Sequence, residues 1–128
     1  MDRYDPLVAP TSRAWFALDE DARIALVRHH HAEAGIDLPA AQLHAVIHVV
    51  IENQLLTGVV EVQEAMARLQ AEGLDRHDAL HAVGQVLVKH IHAVLEGNAS
   101  SGEPTEAYLA DVRGQTRARW LAGRGDTP

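Results

Sequence analysis

Three polar residues in one apolar stretch carry the first chemical signal. In LHAVIHVVIENQLL, residues 43–56, His44, His48 and Glu52 recur at steps of four among leucine, valine, isoleucine and alanine. Two imidazoles and a carboxylate at that spacing lie along one side of a helix, the arrangement from which helical zinc motifs draw ligands. A second pair follows in RHDALHAVGQVL, where His77 and His81 are again four apart. His31, in DARIALVRHHHAEA, falls at helical spacing with Ile24 and Val27 and is a further inward-facing candidate. The candidate ligand set is therefore His31, His44, His48, Glu52, His77 and His81. The chain has no cysteine. Nitrogen and oxygen donors without thiolate suit a transition metal ion, with Zn or Fe foremost and Mn, Ni and Co open. Six donors exceed the need of one tetrahedral zinc, so they imply one ion with supporting residues or a pair of ions. In a catalytic site, Glu52 is the candidate bridge or general base, and the chemistry is hydrolytic or oxidative.

The elements must bring these groups together. At about 100° per residue, His44, His48 and Glu52 form a shallow stripe, and valine, isoleucine and leucine cover most of the remaining surface. A helix apolar nearly all round is a buried one. A buried glutamate is paired or protonated, so Glu52 needs a partner. Most basic residues fall at helix ends or on outer faces, which leaves a metal ion or a charged histidine. On the helix of RHDALHAVGQVLVKHIHAVLE the His77/His81 pair borders the stripe of Leu80, Val83, Leu87, Ile91 and Val94, and Gly84 gives room for close approach. His30 and His29 lie about 100° and about 200° round the helix from His31 and are expected to point elsewhere. His90 and His92 sit where a helix C-terminus favours positive charge.

The wider pattern is all-α: an antiparallel bundle of four main helices plus a weaker C-terminal helix. Aromatic residues make up 4% of the 128 residues, so the core is aliphatic. Residues 1–11, broken by Pro6 and Pro10, read as a flexible arm. A short turn is expected around RAWFAL. Asp19 caps a helix running to Ala34, with Gly35 as its stop. The next spans about 39–57, from Pro39 to a stop at Gly58. A third covers VEVQEAMARLQAE and closes at Gly73. Asp75 caps a fourth, which runs to Gly97. After the loop GNASSGEP, a last helix over about 104–122 is interrupted by Gly114. This gives one domain, with a helical metal-binding core over 12–97 and a peripheral segment over 98–128. Short connections favour antiparallel neighbours.

The formal net charge is −7 with no basic run, which argues against nucleic acid or anionic membrane as partner. No secretory h-region opens the chain and no apolar run reaches membrane-span length, so a cytoplasmic protein is expected. RGD at 124–126 and NAS at 98–100 read as tail and loop.

The blocks W…LDEDARIALVRHHH, LHAVIHVVIENQL and EGLDRHDALHAVGQVL, over about residues 15–96, resemble a small bacterial family of unknown function. Its His-x3-His-x3-Glu-Asn-Gln and Arg-His-Asp-Ala-x-His elements imply a helical protein with a polar core signature. A looser likeness is to hemerythrin, whose di-iron bundle uses a His-x3-Glu and a His-x3-His. His48/Glu52 and His77/His81 match those two elements, and His31 or His44 corresponds to the lone histidine. The His-x4-Asp element is absent. His77-Asp78 also resembles the dyad of HD-domain phosphohydrolases, with His48 and Asp111 as the further ligands that family requires. Against the metal reading stands a buried polar network, in which Glu52 bridges charged histidines while Asn53 and Gln54 cap backbone groups. That alternative gives a non-catalytic interaction module, with a homodimer as its natural form. Sensing of pH by the histidines is a third reading.

Overall fold

The computed structural model describes residues 1–33, 41–95 and 105–123. Every regular element among them is a helix: α1 (Ser12–Phe16), α2 (Glu20–Glu33), α3 (Ala41–Leu56), α4 (Val60–Ala71), α5 (Arg76–Leu95), α6 (Glu106–Arg113) and α7 (Arg117–Gly123). The expected stops at Gly35 and Gly97, the turn at Pro39, and the NAS and RGD segments lie outside the described residues.

Short polar side chains start several helices by satisfying orphan backbone N–H groups. Asp19 accepts from Ala22 N at 2.8 Å and opens α2. Asp75 accepts from Asp78 N at 2.8 Å and opens α5. Thr11 and Thr105 do the same for α1 and α6. Among the described residues, two glycines of positive φ close α3 and α4. Gly58 and Gly73 have φ of +82° and +103°, conformations that other residues rarely adopt. Past them, Val59 N donates to Gln54 O and Leu74 N to Leu69 O, the six-to-one bonds of Schellman turns.

The turn at Gly58 bends the chain by 106° between α3 and α4. These consecutive helices therefore cross steeply, and the antiparallel expectation does not describe them. α3 packs against α2, α4 and α5, and α5 also meets α4, α6 and α7. No single helix among the described residues is long and apolar enough to cross a membrane.

Two apolar clusters form among the described residues. The larger joins Ile47 and Ile51 of α3 to Val62, Met66 and Leu69 of α4 and to Leu80, Val83 and Leu87 of α5. It also takes in Tyr108, Val112 and Trp120, so α6 and α7 contribute to the core where a peripheral segment was expected. Arg68 holds them in place through Val112 O and Gln115 O. The smaller cluster joins Tyr4, Trp15, Val27, Ala45 and Val49. The arm has no regular element, yet its Tyr4 and Pro6 are buried. An aromatic ring eight residues before the first helix has apolar surface to cover, and the seam between α2 and α3 covers it.

Candidate metal centre

The position of the polar stripe follows from the faces of α3. Ile47 and Ile51 belong to the larger cluster and Ala45 and Val49 to the smaller. At about 100° per residue the His44/His48/Glu52 stripe falls between those two faces, so it points into the seam where the clusters meet. α2 brings His31 to that seam and α5 brings His77 and His81. Close approach of α3 and α5 depends on Gly84: a Cβ there would lie 2.9 Å from Ile47 Cγ2.

Five imidazoles from three helices meet. Ring centroids are 4.3 Å apart for His77–His81, 4.6 Å for His31–His44, 4.9 Å for both His44–His48 and His44–His81, and 5.4 Å for His48–His77. Among the described residues, two triads could hold a metal ion, His31/His48/His77 and His44/His48/His81, each with its ligand nitrogens within 4.8 Å of one another. His48 belongs to both. Its Nε2 lies 3.2 Å from His81 Nε2, close to the edge of about 3.3–3.4 Å that two imidazoles span on a tetrahedral zinc.

The chemistry of the nitrogens favours an electron-pair acceptor. His31 Nδ1 is 2.8 Å from Val27 O. A carbonyl only accepts, so Nδ1 carries the hydrogen and Nε2 carries the lone pair. That Nε2, with Nε2 of His44 and of His77, is buried with no hydrogen-bond partner. Each such group costs about 1–3 kcal/mol. Burial and neighbouring imidazoles push His44 down to about 4, and burial likewise lowers His31 and His77. His48 falls well below its ordinary value, first through burial and then through the histidines around it. Neutral imidazoles are the form that binds metal.

Glu52 is fully buried and pairs with Arg76. Arg76 Nη2 donates to Oε1 at 2.6 Å and Nη1 to Oε2 at 2.9 Å. The Tyr4 hydroxyl donates to Oε2 at 2.7 Å and lies 3.1 Å from His48 Nδ1. Glu52 stands outside both triads, with its two oxygens taken by Arg76 and Tyr4. Arg76 is the first residue of α5, a position that reads as solvated in sequence, but its long side chain folds back to α3. Nothing in the local pattern near Tyr4 or Arg76 could have linked them to a residue 24 or more positions away.

His30 also departs from expectation. Its half-buried ring lies 6.1 Å from Tyr4, 5.4 Å from His31 and 6.2 Å from His77. It points away from the apolar face of α2, but the arm and α5 wrap round that side and enclose it. Asn53 and Gln54, expected to cap backbone groups, instead accept from Trp15 Nε1 at 2.7 Å and from the Tyr108 hydroxyl at 2.8 Å. Asp111 is exposed and pairs with His90 at 2.8 Å. The His92 side chain lies outside the described residues.

Compared with family models, with curated proteins and with solved structures, the chain gives no match.

Proposed function

We propose that the protein binds one transition metal ion through histidine alone, with His48 as the indispensable ligand. The observation that supports this most strongly is the trio of buried, unpartnered ring nitrogens on His31, His44 and His77 around the shared His48. A structural polar network satisfies its members, and these nitrogens have lone pairs or hydrogens with nowhere to go. A single ion fits because the two triads share His48, whose other nitrogen faces Tyr4. An all-imidazole donor set suits Zn, Fe, Ni or Co and disfavours Mn, which prefers carboxylate. Held by neutral donors, such an ion supplies Lewis-acid chemistry.

Titration with Co(II), followed by its visible ligand-field bands, tests the reading. Saturation at one equivalent is expected. His48→Ala, which belongs to both triads, should abolish the bands. His31→Ala and His44→Ala each touch one triad and should weaken binding less. Saturation at two equivalents, or binding that survives in His48→Ala, overturns the single shared site.

A further inference from the structure

Four groups from three parts of the chain are joined in series: Arg76 on α5, Glu52 on α3, Tyr4 in the arm, and His48 back on α3. We propose that Arg76, Glu52 and Tyr4 are positioning residues that fix His48 as its Nδ1–H tautomer and present its Nε2 lone pair to the centre of the histidine cluster. The inference rests on the metal reading only for what that lone pair binds.

Hydrogen counting carries it. Two arginine N–H groups already donate to Glu52, and a carboxylate paired in this way only accepts. The Tyr4 hydroxyl has one hydrogen and two neighbours, Glu52 Oε2 at 2.7 Å and His48 Nδ1 at 3.1 Å. The shorter contact, to an acceptor with no hydrogen of its own, takes it. A phenol keeps its hydrogen near neutral pH. The phenol oxygen is then an acceptor toward His48, and His48 Nδ1 must supply the hydrogen. A neutral imidazole has one N–H, so Nε2 is bare. It is the nitrogen 3.2 Å from His81.

The chain also explains why a peripheral arm is held down. Arg76 Nη1 donates to Pro6 O at 2.9 Å while it holds Glu52, so one guanidinium fixes both the arm and the carboxylate. Partners of this kind orient ligating imidazoles, and their loss costs about 10–100-fold in metal affinity. Tyr4→Phe keeps the ring in its cluster and leaves the Arg76–Glu52 pair intact, while removing the oxygen that accepts from His48 Nδ1 and the hydroxyl hydrogen that Glu52 accepts.

Long-range 1H–15N spectra of metal-free protein at pH 7.5 give the tautomer directly. For the wild type, His48 should show a protonated Nδ1 and an unprotonated Nε2. A protonated Nε2 overturns the proposal without reference to any variant. In Tyr4→Phe the His48 signals should move to the other tautomer or a mixture, and Zn(II) affinity should fall about 10–100-fold. Unchanged His48 signals in Tyr4→Phe also overturn it. Wild-type protein with the expected tautomer but no affinity for Zn(II) supports the chain and removes the metal reading above, so the two ideas fail separately.

Discussion

Arg76 and Glu52 form a pair in which each side chain depends on the other. Glu52 has no exposure and Arg76 little, at 12%. Removing one member of a buried pair leaves a desolvated charge and costs about 3–5 kcal/mol. Arg76→Ala should therefore lower the urea midpoint severely, and a midpoint within experimental error of the wild type would show that the pair does not matter. The histidines make a second residue-level prediction, for metal-free protein. His31, His44, His48 and His77 all have lowered values in the folded state, while the unfolded chain titrates near 6.5. Below about pH 6.5 the unfolded state binds more protons, so acid favours unfolding. Stability should hold above that pH and fall as pH drops from it toward the folded values. Urea midpoints at pH 7.5 and 5.5, measured with chelator present, check this; equal midpoints contradict a buried neutral cluster.

Among the elements, α3 and α5 determine whether the imidazoles meet. Gly84 is buried on α5, and a Cβ there would press on Ile47 Cγ2 at 2.9 Å and approach Ile51 Cδ1 at 3.6 Å. Ile47 is branched at Cβ and cannot swing that methyl aside cheaply. Alanine improves helix propensity by up to about 1 kcal/mol, but overpacking costs about 1–3 kcal/mol. The expected net effect of Gly84→Ala is a loss of stability of about 1–2 kcal/mol, with His81 displaced from His48 and metal affinity reduced. A variant as stable as the wild type and equally tight for Co(II) would show that this close approach has no bearing on the centre. The helices themselves were readable because caps and stops are local: Asp19, Asp75, Gly58 and Gly73 act within a few residues of their own positions. The pairs His44/His48 and His77/His81 were readable for the same reason, as helical periodicity fixes their common side. The 106° bend after α3 was not readable, since short links set proximity and leave crossing angle to packing. The partners of Glu52 were hidden too, because the contacts to Tyr4 and Arg76 span 48 and 24 residues and leave no periodic trace. The angle of His30 on α2 points away from the apolar face, and that angle takes no notice of the arm and α5 that pack over it.

At the scale of the whole molecule, three separate regions close on one seam. The arm supplies Tyr4, α2 and α3 supply His31, His44 and His48, and α5 supplies His77, His81 and Arg76. The apolar clusters on either side exclude water from the ring nitrogens. An ion that binds only this folded arrangement stabilises it by mass action, by about 2.7 kcal/mol at a free concentration one hundred times its Kd. Added Zn(II) should therefore raise the melting temperature of the wild type and leave that of His48→Ala unmoved. Elemental analysis of protein purified without chelator from cells supplied with transition metals bears on the proposed site without any titration. About one equivalent of a single transition metal in the wild type, and close to none in His48→Ala, is the expected result. Less than a tenth of an equivalent in the wild type, or equal content in both proteins, would contradict a metal centre built on His48.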